Sequence, residues 1–484
     1  MSARTVPEAI FGENAGVLPR SPFGTFPPRR RVHYPLDMTP EEAIAFWYGR
    51  IDYERRAPRP GDLRLDRMRS LLDAIGRPED SYAIVHVAGT KGKGSSSAMI
   101  ASVLRHAGFR TGLFTSPHLV DVRERIRVDG EPIPLDGLAS CMDELAGVVR
   151  ALEAGGDPSL VPTFFEIGTA LGFLWFARQR VDIAVIEVGL GGRFDSTNVC
   201  TPLVSLITNI SWDHMGLLGD TLGKIAFQKA GIIEPGRPVV ATATEPEAVE
   251  VFERVAAENG CTLRRLGRDF EVDYHQPATP SAMPAYRVRL PDENRPGVWR
   301  PLGLLGRHQA RNAAGAEMVV RELRAVGWDI PEDAIGRGMA TVDWPARQEP
   351  IRRPSLPLVL LDCAHNTASV DSLIETVRET FAGSGRRHLI FAVSSDKQYP
   401  EMLALLAGEF DTFHLTQYRS NPRFVPAERL AEVVKGLRPN AEVYLTLVPE
   451  DAWTGVSGLA VPEDLIVIAG SVFLAGEMRD LVRS

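Results

Sequence analysis

Two periodicities of apolar residues alternate along the chain and predict alternating helices and strands. Thr39, Pro40 and Glu42 form a helix start with an N-cap residue, a proline at the first position and an acid at the third. A second helical run covers 65–75. Short β-branched and apolar runs, typical of strands, recur at 82–88, 111–114, 183–188, 203–208 and 238–241. This alternation favours a mostly parallel sheet with helices on both faces.

The second half of the chain repeats this design after an interruption. The stretch 269–301 is rich in proline and holds one alternating run at 286–290, which predicts a local antiparallel sheet. Helical pattern returns at 309–326. After Trp344 and Pro345, strands are predicted at 358–361, 389–393, 412–415, 443–447 and 465–469, and helices at 369–381, 401–406 and 427–436. The sequence therefore predicts a second, smaller α/β domain with a Rossmann-like arrangement.

Composition narrows the class of protein. The chain has 484 residues, 44% hydrophobic and 24% charged, which excludes a disordered chain. The net charge of −8 does not predict a nucleic-acid surface, and the apolar run 465–476 is about half a membrane span. Four cysteines without a CxxC pair and the lack of a signal peptide favour a reducing compartment, the cytoplasm. We expect small-molecule partners, no nucleic acid, no membrane and a monomer.

The segment 1–38 is predicted to be an irregular N-terminal arm. Residues 1–36 contain six prolines and a basic run at 29–31 without helical or strand periodicity. Organellar targeting is the alternative interpretation, and Glu8, Glu13 and the prolines count against it. The predicted domains are then 39–345 and 346–484.

A glycine-rich segment, Gly89-Thr90-Lys91-Gly92-Lys93-Gly94-Ser95, lies between a predicted strand and a predicted helix. Glycines let backbone N–H groups surround phosphate oxygens, and a helix N-terminus and a lysine add positive charge. The spacing departs from the usual P-loop pattern, so this is a variant of it. The context predicts a P-loop-type nucleotide-binding domain with Lys93 as the phosphate lysine; the alternative is an ordinary glycine-rich turn.

Three further segments supply candidate metal ligands, and a fourth supplies a candidate lysine. Glu187 ends an apolar strand, where ligands bind in parallel sheets, and Mg²⁺ on phosphates would compensate its burial; capping a neighbouring helix is the alternative. His214 and Ser116 follow two other strands, and each has an ordinary structural interpretation. Lys229 lies at an apolar helix end, where it could simply extend to solvent.

Taken together, the motifs resemble those of the folylpolyglutamate synthase and dihydrofolate synthase family within the Mur ligase superfamily. They run in family order over about 60–480. The segments are HVAGTKGKGS from His86, TSPHL from Thr115, TFFEIGT from Thr163, IEVGLGGRFDSTN from Ile186, ITNISWDHM from Ile207, KAGII from Lys229, GRHQARNA from Gly306, WPAR from Trp344, DCAHN from Asp362, SSDK from Ser394 and IAGSVFLAGE from Ile468.

The resemblance implies an ATP-dependent amide ligase with a Mur-ligase-type ATP-binding domain and a C-terminal glutamate-ligase domain. A pteroate or folate carboxylate would take the γ-phosphate of ATP, and the amine of L-glutamate would attack the acyl phosphate. Phosphorylation supplies the leaving group that a carboxylate lacks. Because two anions must approach each other, two Mg²⁺ ions and lysines would screen them.

The resemblance also implies roles for individual residues. Lys93, Lys229, Glu187 and His214 would be catalytic, and Lys229 matches a lysine that the family carbamylates. Metal ligands would be Ser116, Glu187 and His214. The nucleotide would contact Gly92, Lys93, Gly94, Ser95, Asn312, Arg347 and Asp362. Substrate contacts would be Leu65, Asp66, Arg67, Thr163, Phe164, Phe165, Glu166, Phe194, Asp195 and Ser196 for the pterin, with His365, Arg423 and Ser471 near glutamate.

Some positions depart from the family pattern. Lys91 stands where asparagine is common, Arg64 and Cys363 where glycine is usual, Gln228 where an acid is common, and Ala346 replaces the glycine of the WPGR-type motif. Two other functions remain open. A Mur-type ligase could act on a cell-wall precursor, although the TSPHL and TFFE segments are features of the folate branch. A non-catalytic P-loop nucleotide sensor would not require Glu187, His214 and Lys229 together.

Overall fold

The computed structural model describes residues 38–53, 61–212, 214–277, 279, 282–291, 297–354 and 356–484. The predicted arm therefore lies outside the described residues except for Met38. Within the described residues, no helix is both long and apolar enough to cross a membrane.

Eight strands form the first sheet among the described residues, in the order β4-β3-β2-β5-β1-β6-β7-β8. The strands β2, β5, β1, β6, β7 and β8 run parallel, and β3 and β4 add an antiparallel edge. Their bounds are β1 Ala83–Ala88, β2 Thr111–Phe114, β3 Ile126–Val128, β4 Glu131–Pro132, β5 Ile183–Glu187, β6 Val204–Ile207, β7 Val239–Ala241 and β8 Leu263–Arg265.

Helices cover both faces of this sheet. Val85 and Val87 of β1 point into a core with α3, α9 and α10, and Ile84 points to the opposite core with α1, α2, α4 and α5. The helices are α1 Pro40–Tyr48, α2 Asp66–Ala74, α3 Lys93–His106, α4 Leu135–Ala154, α5 Phe164–Gln179, α6 Met215–Leu218, α7 Leu222–Lys229, α8 Pro246–Glu258, α9 Arg307–Ala325 and α10 Glu332–Ala340. The capping box predicted at Thr39 is present, with Glu42 as its acid.

The predicted antiparallel interruption is a separate three-stranded sheet of β9 Glu271–His275, β10 Ala285–Arg289 and β11 Arg300–Pro301. Its inward residues Tyr286 and Val288 join the core around α9. Tyr286 donates a hydrogen bond to Glu317 Oε2 over 2.9 Å, and Arg300 pairs with the same carboxylate over 3.1 Å. The small sheet is thus attached to α9 by a buried polar network.

The second large sheet has six strands in the order β12-β13-β17-β14-β15-β16, and all but β12 run parallel. The strand β17 therefore lies between β13 and β14. The elements are β12 Glu349–Ile351, β13 Leu358–Leu361, β14 Arg387–Phe391, β15 Thr412–Leu415, β16 Glu442–Leu445, β17 Leu465–Ala469, α11 Thr367–Thr380, α12 Tyr399–Leu406, α13 Ala427–Leu437, α14 Pro449–Leu459 and α15 Val472–Arg483.

The two-sheet α/β architecture was predicted and is confirmed, since the helices α11, α12 and α13 pack on one face of this sheet and α14 and α15 on the other. The prediction omitted the helices α14 and α15 and the short edge strands β3, β4, β8 and β12. Strand ends also differ by one or two residues, as at β14, which covers Arg387–Phe391.

Candidate active site

The site is built on the carboxyl ends of four adjacent parallel strands. In the sheet order β2-β5-β1-β6, each strand is followed or ended by one predicted residue or motif. Ser116 follows β2, Glu187 ends β5, Gly89 follows β1 and Thr208 follows β6. Because parallel strands end at one edge, residues far apart in sequence meet there.

Glycine is required at two positions of the loop between β1 and α3. Gly89 has φ +147°, and a Cβ there would lie 1.7 Å from Thr208 Oγ1. Gly92 has φ +86°, and its Cβ would lie 2.2 Å from Asn312 Oδ1. Both dihedrals strain any residue with a side chain, and neither position has room for one. The loop is therefore clamped between the segment after β6 and helix α9.

Two lysines turn towards the interior of this loop. Lys93 Nζ donates to the carbonyl oxygen of Gly89 over 3.1 Å. Lys229 Nζ donates to the same oxygen over 2.8 Å, and this side chain is buried, with 4% exposure. Lys229 therefore does not extend to solvent. The loop holds two ammonium groups beside the turn in which a phosphate would lie.

Glu187 is buried at the end of β5 near these cations. Burial raises the pKa of its carboxyl group to about 7, against the lowering effects of Lys93, the Ser116 N–H group, Arg347 and Arg125. The backbone N–H of Ser116 donates to Glu187 Oε2 over 3.3 Å. A buried carboxylate whose charge is not fully compensated by the protein is suited to a cation.

The residues present fit a Mg²⁺ ion. Glu187 and the Ser116 hydroxyl offer hard oxygen ligands at one edge, and substrate phosphates and water complete such a site in many enzymes. His214 lies on the segment after β6, directly before α6, with φ +48°. Among the described residues, no group of three His, Cys, Asp or Glu side chains could hold a metal alone.

Arg347, from the second sheet, lies near both Glu187 and Asp362. Asp362 follows β13 and accepts hydrogen bonds from the backbone N–H groups of Gln348, over 2.8 Å, and Ala364, over 2.7 Å. Burial raises its pKa to about 6, although Arg347 lowers it. Arg347 contacts the Cys363 thiol and lies close enough to Glu187 to lower its pKa. Ala346 keeps φ +54°, so the alanine occupies the backbone conformation that favours glycine.

A cleft separates the two sheets at this edge, and Lys91 and His365 meet across it. Lys91 Nζ lies 3.3 Å from Nε2 of His365. Deeper in the cleft, a small cavity is lined by Thr115, Trp344, Arg347 and Cys363, among others. The indole of Trp344 would lie 3.1 Å from a Cβ at Gly94, so the phosphate loop packs against the link between the sheets.

The predicted pterin residues surround the start of α5. Thr163 caps this helix, and Glu166 closes the capping box. Arg67 Nε lies 3.0 Å from both oxygens of the Glu166 carboxylate, and both side chains are buried. The carbonyl of Phe164 accepts a hydrogen bond from Trp47 Nε1 over 2.8 Å. This arrangement is a packed aromatic cluster beside one buried ion pair.

The other predicted pterin residues lie on segments next to this aromatic cluster. Leu65 precedes α2 and Asp66 begins it, while the ring of Phe165 fills the space beside Gly189. Ser196 Oγ lies 2.8 Å from Thr169 Oγ1 on α5. Asp195 is buried and accepts from Leu190 N, whereas Phe194 is 48% exposed.

Of the three predicted glutamate contacts, His365 lies next to Lys91 across the cleft. The other two lie elsewhere on the second sheet. Ser471 caps α15 by accepting from Phe473 N over 3.1 Å. Arg423 lies 4.0 Å from Asp396. Burial raises the pKa of Tyr418, against the lowering effects of a hydrogen bond with Ser471 and the charge of Arg423. These residues form a second polar group at the carboxyl edge of that sheet.

Sequence reasoning missed Arg125, which is buried with 2% exposure. Its Nε donates to His118 Nδ1 over 2.8 Å, and its guanidinium lies 5.2 Å from the centre of the Phe164 ring. It thus links the segment after β2 to the aromatic cluster. The surrounding run of alternating charges resembles a solvated surface, so no local pattern indicates a buried arginine.

Two family models match this chain. The Mur ligase middle domain matches 135–320, and the Mur ligase glutamate ligase domain matches 346–472. A dihydrofolate synthase/folylpolyglutamate synthase of Bacillus subtilis is 34% identical over 447 residues, which cover 91% of this chain and 98% of the relative. The chain belongs to the folylpolyglutamate synthase and dihydrofolate synthase family.

Solved structures of this family have the same fold. The Mycobacterium tuberculosis folylpolyglutamate synthase complexed with ADP has a TM-score of 0.80 and 30% identity, covering 92% of this chain and 98% of that one. An Escherichia coli protein in complex with DHPP and ADP has a TM-score of 0.78 and 26% identity, covering 92% and 98%. The family relationship therefore spans both sheets.

Proposed function

We propose that this protein is an ATP-dependent ligase that adds L-glutamate to dihydropteroate, to folates or to both. The observation that carries the proposal is the convergence on the phosphate loop. Lys93 and Lys229 both contact the carbonyl of Gly89, Glu187 lies beside them, and Arg347 reaches the same place from the second sheet. The ADP complex of the Mycobacterium tuberculosis relative supports ATP as the nucleotide.

The arrangement suits phosphorylation of a carboxylate. The triphosphate would occupy the loop of Gly92, Lys93, Gly94 and Ser95, where the N-terminus of α3 and Lys93 offset its charge. Asn312, Arg347 and Asp362 would contact the nucleotide from the other side. The residues around Arg67 and Glu166, at the start of α5, would hold the pterin, so that the carboxylate of the substrate points to Glu187.

Ser116, Glu187 and His214 would hold Mg²⁺, which screens phosphate oxygens from an approaching anion when bound. Lys229 lies beside the phosphate loop, and we propose that it is carbamylated there. A hydrogen bond to the Gly89 carbonyl holds this side chain in place, so a change in its charge would change the electrostatic potential at the phosphate loop. The glutamate amine then needs only to be deprotonated when it attacks the acyl phosphate.

The proposed domain boundaries are 39–345 and 346–484. Trp344 packs with the first core and Ala346 with a core of the second sheet, which supports a boundary between them. Nucleotide residues on both sides of this boundary imply that the domains close around the substrates. We further propose a monomer in a reducing compartment; the four cysteines are all free thiols.

The decisive measurement is phosphate release from ATP, Mg²⁺ and glutamate with either dihydropteroate or a reduced folate monoglutamate. Release with both identifies a bifunctional synthase, and release with one identifies the branch. The Escherichia coli dihydrofolate synthase/folylpolyglutamate synthase, 30% identical over 450 residues, supports testing both substrates. Release with neither, but with a cell-wall precursor, would support the alternative Mur-type ligase. Nucleotide binding without any release would support the sensor.

A further inference from the structure

His86 lies on β1, three positions before Gly89, and its side chain contacts the loop that follows β5. The ring is fully buried, and its Nε2 lies 2.9 Å from Thr197 Oγ1. Thr197 Oγ1 in turn lies 2.5 Å from Asp195 Oδ1. Two buried side chains thus join the central strand of the first sheet to a residue predicted to contact the pterin.

The hydrogen bonds of this chain run in one direction. Asp195 Oδ1 also accepts from the backbone N–H of Thr197 over 3.0 Å, so it is an acceptor and the Thr197 hydroxyl donates to it. Because a hydroxyl has a single hydrogen, Thr197 must accept from Nε2 of His86. Burial lowers the pKa of His86 to about 3, so the ring is neutral and its Nδ1, 3.9 Å from Cys200 Sγ, carries no hydrogen.

Three hydrogen bonds from the described residues fix the orientation of the Asp195 carboxylate. Its Oδ1 accepts from the N–H and hydroxyl groups of Thr197, and its Oδ2 accepts from the N–H of Leu190 over 2.8 Å. Burial nevertheless raises the pKa of Asp195, so the protein does not fully compensate its charge. A carboxylate can accept about four hydrogen bonds, which leaves capacity for an N–H group of a ligand.

Asp195 lies between the first turns of α5 and the phosphate loop. The adjacent Ser196 contacts Thr169 of α5 over 2.8 Å, and Lys93 is close enough to lower the pKa of Asp195. A pterin held at the start of α5, with its carboxylate at Glu187, would therefore lie beside the Asp195 carboxylate. The amino and ring N–H groups of a pterin are donors that a carboxylate accepts.

We propose that His86 is a positioning residue for the pterin substrate, acting through Thr197 on Asp195. This inference rests on the proposed ligase function, which supplies the pterin. The N–H group of His86 orients the Thr197 hydroxyl, the hydroxyl holds the carboxylate, and the carboxylate accepts the donors of the pterin. His86 itself touches no substrate in this arrangement.

Initial rates of phosphate release by the full-length enzyme test this role, with ATP, glutamate and the pterin substrate used by the unmodified enzyme varied in turn. His86→Gln keeps an N–H donor near the position of Nε2, whereas the side chain of His86→Asn is too short to reach Thr197. For His86→Asn we expect the pterin KM to rise about five-fold or more, because one hydrogen bond is lost. The KM values for ATP and glutamate should change less than two-fold, and His86→Gln should restore most of the pterin affinity.

Thr197→Val tests the middle of the chain and remains informative if His86→Asn does not fold. It removes the hydroxyl that donates to Asp195, and we expect the pterin KM to rise about ten-fold or more, because a hydrogen bond to a charged group is lost. If His86 acts through Thr197, His86→Asn should add little to the pterin KM when combined with Thr197→Val.

His388 and Thr412 on the second sheet provide matched controls. His388 is fully buried, and its Nδ1 lies 2.7 Å from Thr412 Oγ1. His388→Asn and Thr412→Val should lower the free energy of unfolding in urea but keep all three KM values unchanged.

Three results would overturn the inference. Similar rises in all three KM values would show that His86 only supports the fold. An equal pterin KM in His86→Gln and His86→Asn would show that the N–H donor has no effect, and an unchanged pterin KM in Thr197→Val would separate the hydroxyl from recognition. Failure of the proposed function is distinct, because the unmodified enzyme would then show no glutamate-dependent phosphate release with either pterin substrate.

Discussion

The ammonium group of Lys229 donates a hydrogen bond to the carbonyl of Gly89 over 2.8 Å, although 140 positions separate the two residues. The proposed role of Lys229 predicts that Lys229→Ala abolishes most turnover, by about two orders of magnitude or more, while ATP still binds. Phosphate release and nucleotide titration measure the two effects separately. Intact-mass analysis with and without bicarbonate tests for the carbamate.

The control for this variant is Lys224→Ala, which removes an exposed lysine one turn earlier on the same helix. It should keep full turnover. Full ligase activity in Lys229→Ala would refute the carbamate proposal.

A second prediction concerns the turn itself. In Gly89→Ala, the added methyl group would meet Thr208 Oγ1 in a backbone conformation that disfavours it. We expect nucleotide affinity to fall about ten-fold or more as the loop shifts. Gly147→Ala, in the middle of α4, has open space around the new Cβ and should stabilise the protein by about 0.5–1 kcal/mol. Calorimetric titration with ATP measures the nucleotide affinity of Gly89→Ala, and chemical unfolding measures the stability of Gly147→Ala.

The buried pair of Arg67 and Glu166 leads to a third prediction. Glu166→Gln leaves the Arg67 charge buried without its carboxylate, and we expect a loss of about 3 kcal/mol in the free energy of unfolding. The KM for the pterin substrate should rise and that for ATP should not. Asp73→Asn breaks an exposed pair with Arg77 and should cost less than about 1 kcal/mol. Equal losses in the free energy of unfolding for Glu166→Gln and Asp73→Asn would contradict the assignment of Arg67 and Glu166 as a buried ion pair.

Glu79 provides a prediction about pH that is independent of the active site. Its carboxyl group is buried, and neither of its oxygens has a hydrogen-bond partner among the described residues, although Arg77 lies 3.4 Å away. Burial raises its pKa from 4.5 to about 7. A raised pKa means that the folded state holds the proton more tightly, so this contribution to stability is complete below about pH 4.5 and is lost as the pH rises through 7.

Glu79→Gln should therefore be more stable than the unmodified protein at pH 8, by about 1–3 kcal/mol, and show little difference at pH 4.5. Urea unfolding at several pH values between these limits gives the comparison. Glu428→Gln, at an exposed position in the first turn of α13, should not change the pH dependence. A stabilisation that is the same at both pH values would rule out the titration of Glu79.

The central strands could be predicted because they are continuous apolar runs, and the phosphate loop because its glycines lie between a strand and a helix. The edge strand β12 could not, since it contains Pro350 and has only three residues. Helix α14 was missed despite Pro449, Glu450 and Asp451 in its first turn, which together favour a helix start.

The contacts of the site were less predictable than its residues. The motifs supplied Glu187, Lys229 and Asp362, but no local pattern joins Lys91 to His365, because that contact depends on how two sheets face each other. The burial of Arg125 is also a tertiary property. Sequence motifs therefore indicate which side chains form the site, whereas the contacts between those side chains depend on the fold.

The position of β17 has a consequence for synthesis of the protein on the ribosome. This strand pairs on both sides, with β13 and β14, yet it comes after all the other strands of its sheet. Until residues 465–469 have emerged, β13 and β14 cannot be joined into one sheet. Asp362, which follows β13, therefore gains its final surroundings late. The phosphate loop is synthesised long before the second domain, which is proposed to contact the nucleotide, can complete its sheet.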